Sequence, residues 1–86
     1  MRTRETMIPK DLEGVLTSTP DILDGAIRFR GTKVPVIALM DMLRCGQTLD
    51  DFLDLHPGVS RSHALALIQW EDREARKVFG FEPASL

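Results

Sequence analysis

The chain has 86 residues, 43% of them hydrophobic and 28% charged, with a formal net charge of −2. A chain this short hides only about 60–65% of the surface its unfolded form exposes, so it makes one domain with a thin core. The apolar share excludes disorder, no apolar run approaches the roughly 20 residues that span a bilayer, and the acidic balance excludes a protein that coats nucleic acid nonspecifically.

Residues 1–14 read as an N-terminal arm, weakly ordered up to about Asp11, with a short turn. Its polar opening, Met1-Arg2-Thr3-Arg4-Glu5, is not followed by a signal-peptide hydrophobic stretch. Val15-Leu16-Thr17 is a short β-type segment, closed by Ser18-Thr19-Pro20-Asp21. Asp24-Gly25 is a turn dipeptide. Ala26-Ile27-Arg28-Phe29 has the apolar–basic alternation of a half-buried strand. Gly31-Thr32 makes a second break, with Gly31 suited to a positive φ. Lys33-Val34-Pro35 is a short extended piece that places Pro35 at or near the first turn of a helix, where its missing N–H does no harm.

From Val36 the period changes. Val36, Leu39, Met40 and Leu43 fall at i, i+3, i+4 and i+7, one apolar helical stripe. Gly46 ends this helix as a left-handed cap. Thr48 is a good N-cap for a second helix, with Asp51 three residues on as a short version of the capping box. The apolar positions of that helix are Leu49, Phe52, Leu53 and Leu55, and Pro57-Gly58 stops it. Ser60 caps a third helix, Arg61 to Phe79, roughly 28 Å long. Leu65, Ile68, Ala75 and Phe79 share one side of it, with Ala64 and Leu67 nearby. Its charged second half, Glu71 to Lys77, is expected to project beyond the core.

The expected fold is mainly α: a short N-terminal β ribbon followed by three helices, one domain over residues 15–79, with a tail over 80–86. Loops of two to four residues make each helix pack on its neighbour. A short helix, a tight turn and a longer helix form the helix-turn-helix pattern.

Four stretches then carry a family resemblance: Pro20-Asp21-Ile22-Leu23 with Gly25; Arg30-Gly31-Thr32-Lys33-Val34-Pro35-Val36; Gly46-Gln47-Thr48-Leu49-Asp50-Asp51-Phe52; and His56-Pro57-Gly58-Val59-Ser60. Together they resemble the domain-of-unknown-function 433 family over about Thr19 to Trp70. Lys33 stands where the family commonly has arginine. The resemblance implies a homeodomain-like tri-helical fold and the antitoxin half of a prokaryotic toxin–antitoxin pair, often beside a PIN-like nuclease toxin.

If the third helix is a recognition helix, its opening turns meet base edges. Arg61, Ser62 and His63 lie there, and Gln69 about two turns on. Arginine pairs with guanine and glutamine with adenine through two-point hydrogen bonds. Arg28, Arg30 and Lys33 form a cationic cluster without an intervening acid, suited either to phosphate contact or to keeping an exposed strand edge from aggregating. Asp50, Asp51 and Asp54 read as helix-dipole acids; beside DNA they would repel phosphate, so they should face away from it or face a basic partner. Trp70 is either a core-edge residue or an interface anchor. The charged run Glu71 to Lys77 reads as a solvated face or, together with Val78, Phe79 and Phe81, as one edge of a surface for a protein partner.

No metal or cofactor is expected, because Cys45, His56 and His63 lack the paired spacing of a zinc site. No enzyme is expected either. Ser60 or Ser62 with His63 comes without an oxyanion-hole loop, and there is no phosphate-cradling glycine loop. The single cysteine excludes an intrachain disulfide and fits a reducing cytoplasm.

The expected function is an antitoxin-like DNA-binding regulator, cytoplasmic and not membrane-bound. It would dimerise through the ribbon from Val15 to Val34, because isolated ribbons have unpaired edges. It would bind a palindromic operator and neutralise a PIN-like toxin. The alternative is a protein-binding adaptor without a DNA role, which the net acidity favours.

Overall fold

The three-dimensional structure is a computed structural model, and it describes residues 8–80. Two strands of two residues each open the fold: β1, Leu16–Thr17, and β2, Arg28–Phe29. They run antiparallel with Leu16 opposite Phe29 and Thr17 opposite Arg28. Cross-strand partners point to the same face, so Leu16 and Phe29 enter the core together; both are buried. The loop between the strands places Leu23 and Asp24 in the left-handed region, each at φ 54°. That conformation costs L-residues about 1–2 kcal/mol each. The Ser18 hydroxyl closes the loop by donating to the Gly25 carbonyl at 2.6 Å.

After β2 the chain turns at Gly31, at φ 81°. Thr32 holds this turn twice: its Oγ1 donates to the Phe29 carbonyl (2.8 Å) and accepts from the Val34 N–H (3.0 Å). The returning segment lies along the second side of β2, with Phe29 N–H donating to Val34 O and Val36 N–H to Ile27 O, and an Arg28–Pro35 bridge. β2 is thus flanked on both sides.

Pro35, extended at φ −71° and ψ 148°, is the N-cap of α1, Val36–Arg44. The helix ends in the paired bonds of a Schellman motif, Gly46 N–H to Leu43 O and Gln47 N–H to Met42 O. Gly46 is left-handed at φ 91°, as the sequence predicts. α2, Leu49–Leu55, starts with a complete capping box: the Thr48 side chain accepts from the Asp51 N–H, and the Asp51 carboxylate accepts from the Thr48 N–H. α3, Arg61–Phe79, is the longest element. The α1–α2 connection has four residues, as expected; the α2–α3 connection has five, His56 to Ser60.

The core comprises Leu12, Leu16, Phe29, Leu39, Phe52, Val59, Ala64 and Leu67. The Phe29 and Phe52 rings are tilted by 52° with centroids 6.0 Å apart. The core reaches further toward the N-terminus than the hydrophobic pattern indicates. Leu12 closes a short 3-10 turn, Lys10–Leu12, and is buried; α3 packs against that turn. The architecture is a three-helix, helix-turn-helix-type bundle behind a short β ribbon.

Two expectations about helix faces need correction. Leu55 is exposed rather than part of the buried face of α2. On α3 the buried residues are Ala64 and Leu67, not the Leu65–Ile68–Ala75–Phe79 stripe, whose last two members are exposed. One residue is about 100° around a helix, so the docked face is turned by roughly that angle from the longest apolar stripe. The cause is length: the core spans only the first half of α3, and the shorter pair of apolar residues meets it there.

Candidate nucleic-acid interface

The first turn of α3 is built by Ser60. Its backbone is extended at φ −78° and ψ 150°, and its hydroxyl accepts from the His63 N–H at 3.2 Å. This satisfies one of the free N–H groups at the helix start. Arg61 and Ser62 point into solvent and His63 is half-buried. Ser62 Oγ lies 3.3 Å from Ser60 Oγ. Gln69 is exposed two turns further along. The opening residues of the helix are therefore on the surface, as a recognition helix requires.

Beside them lies a turn that the sequence separates by some 25 positions. A Cβ on Gly58 would come within 3.8 Å of the Thr32 methyl group. The Arg30-Gly31-Thr32-Lys33 turn and the Pro57-Gly58 turn, two of the family-like stretches, thus abut just ahead of α3.

The three ribbon cations separate in role. Arg28 is half-buried; its Nε donates to the Thr32 carbonyl at 2.9 Å and its Nη1 to Thr19 Oγ1 at 3.3 Å. Arg30 is not on the strand with it, because β2 ends at Phe29. Its Nε donates to the Glu13 carbonyl at 2.9 Å while the side chain stays exposed. Lys33 is exposed. Arg28 and Arg30 together hold the ribbon to its neighbouring loops, and Lys33 is the member most open to a ligand.

One residue that sequence reasoning left out of the candidate interface belongs to it. Asp50, in the first turn of α2, forms an ion pair with Arg61. The Arg61 and Asp50 side chains are 57% and 72% exposed, respectively. The rule that these acids should face a basic partner was legible; that the partner is Arg61 was not, because it depends on how α2 meets α3. The neighbouring Asp51 carboxyl is held below the usual carboxylate range by the hydrogen bond from the Thr48 backbone and then by that from its side chain.

Further along α3, cations alternate with carboxylates that bind them. Arg73 lies 3.9 Å from Asp11, Arg76 Nε donates to Asp72 at 2.8 Å and Lys77 Nζ to Glu74 at 3.0 Å. The charged half of α3 is thus largely self-neutralising.

Trp70 is half-buried and packs against the core, so it forms the core edge. Val78 and Phe79 are exposed at 78% and 69%. Phe81 lies outside the described residues. Among the described residues no group of three or more His, Cys, Asp or Glu could hold a metal ion, and no helix is long and apolar enough to cross a membrane.

No curated protein matches the chain. A crystal structure of a DUF433 member protein from Anabaena variabilis is similar, with a TM-score of 0.61 at 22% identity. The similarity covers 78% of this chain and 66% of that one, so the match spans just under two thirds of that relative. At that identity it establishes likeness of fold. The family model for DUF433, described as a protein of unknown function, matches residues 16–70, from β1 to the midpoint of α3. The match takes in the ribbon, both short helices and the turns that lead into α3, and on it the chain belongs to the DUF433 family.

Proposed function

We propose that this chain is an antitoxin-like regulator of a prokaryotic toxin–antitoxin pair, acting in the cytoplasm. In this reading it binds operator DNA as a dimer through the first turn of α3 and holds a PIN-like toxin with its remaining apolar surface. The observation that carries the DNA contact is the Ser60-capped start of α3, with Arg61 and Ser62 exposed.

The Asp50–Arg61 pair does not block this. An exposed ion pair contributes about 0–1 kcal/mol, whereas a two-point arginine–guanine contact contributes about 1–3 kcal/mol. Arg61 can exchange one for the other. Asp50 then acts as a brake, competing for the guanidinium and repelling phosphate. The expected outcomes have opposite signs. Arg61→Ala weakens binding to DNA from upstream of the gene by about 1–3 kcal/mol, and Asp50→Asn strengthens it. Gel-shift titrations of both variants decide; unchanged affinity in Arg61→Ala, or weaker binding in Asp50→Asn, removes this site from the reading.

The pairing of α3 cations with carboxylates favours a second reading, a protein-binding module without DNA. Heparin-column retention separates the two. Flow-through of the wild type at low salt favours the module. Retention that falls with salt, and falls further in an Arg28/Arg30/Lys33→Ala triple variant, favours DNA.

A further inference from the structure

On α3 one line of side chains leaves the core and runs on into solvent. At about 100° per residue, Ala64, Ile68, Glu71, Ala75 and Val78 share one face. Ala64 is buried and Ile68 packs against the core. Glu71 is half-buried, and Ala75 and Val78 are exposed. An open groove of about 470 Å³ lies between α1 and α3 at the level of Glu71. Its apolar side is Ile37, Met40 and Leu43, all from α1. Ile37 is 54% exposed there and is not part of the core.

Glu71 differs from the other charges of the distal half of α3. Arg73 lies near Asp11, and Arg76 and Lys77 hold Asp72 and Glu74. The Glu71 carboxylate has no ion-pair or hydrogen-bond partner among the described residues. On the α1 side of the groove, Asp41 and Arg44 neutralise each other at 3.3 Å. The groove thus combines an apolar wall with one uncompensated negative charge. A carboxylate partly withdrawn from water is stabilised by a cation that arrives with its own apolar cover. An amphipathic helix brings both, because it lays an apolar face into a groove with polar residues along its flank. The described part of this chain does not supply such a helix. Arg28 and Arg30 are held by carbonyls. Arg44, Arg61, Arg73, Arg76 and Lys77 are paired with carboxylates. The described cations left without a partner are Lys10 and Lys33, and neither lies on an α-helix.

We infer that the α1–α3 groove docks a basic amphipathic helix of another protein. The helix sets its apolar side on Ile37, Met40 and Leu43 and a lysine or arginine on Glu71. The inference gives the partner-binding half of the reading above a place on the molecule. It does not need that partner to be a toxin, and no gel shift bears on it.

The test titrates the full chain with a stapled amphipathic helix of leucine and lysine, and with the same helix carrying glutamate for lysine. Trp70, half-buried and next to Glu71, reports binding by fluorescence, and methyl NMR of Ile37, Met40 and Leu43 locates it. The lysine helix is expected to bind saturably and shift those methyls, and the glutamate helix to bind at least about tenfold more weakly. Glu71→Gln is expected to remove most of this preference and Glu71→Lys to reverse it. Asp54→Lys makes the same charge change at an exposed position on α2 and is expected to keep the preference. Far-UV circular dichroism checks that each variant folds. Absence of saturable binding, methyl shifts elsewhere, or equal effects of Glu71→Lys and Asp54→Lys overturns the inference. So does sedimentation showing a dimer that Glu71→Lys abolishes, which gives the groove to a second copy. Tighter peptide binding in an Arg2/Arg4→Ser variant gives it instead to the chain's own opening residues, and overturns the inference as well.

Discussion

Side chains of the same type do unlike work within a few residues of one another. Arg28 anchors the turn after β2 through Thr32 and reaches Thr19, both from a half-buried position. Lys33, five residues on, is exposed. Hydrogen bonds from charged groups contribute about 1.5–3 kcal/mol each when shielded, and less when solvent competes. Arg28→Ala is therefore expected to lower stability by about 1–2 kcal/mol, and Lys33→Ala to change it by no more than about 0.5 kcal/mol. Urea melts of the two variants measure this, and equal losses would contradict the division of labour. For binding the order reverses, because a guanidinium already committed to a carbonyl has less to offer a phosphate than a free ammonium. Sequence places both cations in one cluster; only the hairpin's closure shows that one of them is a strut.

Among the elements, helix ends were the most legible part and helix faces the least. The Thr48–Asp51 capping box, the Ser60 cap and the left-handed Gly46 were all readable, because each needs only three or four consecutive residues to be satisfied. The buried side of α3 was not, because it depends on where two other helices end. The Asp50–Arg61 pair was hidden for the same reason: it spans eleven positions and two helices. The capping box also gives α2 a pH signature. Hydrogen bonds from Thr48 favour the ionised Asp51, so its folded pKa lies below that of the unfolded chain. The charge of Asp51 thus contributes stability above the ordinary carboxylate value near pH 4, and this contribution fades as pH falls through the lower folded value. Thermal melts of wild type and Asp51→Asn are expected to differ at neutral pH and to converge in acid, below about pH 4. Curves that stay parallel through that range would assign the difference to something other than charge.

At the scale of the molecule, stability is concentrated in few residues. Phe29 and Phe52 are both fully buried and in ring contact, linking the ribbon to α2. Removing a buried phenyl ring costs about 3–5 kcal/mol, against total stabilities of about 5–15 kcal/mol for domains in general. In a chain of 86 residues, with the limited burial that such length allows, Phe29→Ala is expected to leave a large unfolded population at 37 °C. Circular dichroism and amide chemical-shift dispersion report it, and a cooperative melt close to that of wild type would show a larger core than the buried residues indicate.

From Glu71 onward no residue of α3 is more than half-buried, whereas Ala64 and Leu67 tie the first half to the interior. Mutation can therefore reach the two halves separately. Codons for the distal turns can drift, or be selected for new binding habits, while the scaffold that carries them keeps its shape. Within the chain, the family model itself stops at Trp70, where the half of α3 that packs against the core gives way to the half that does not.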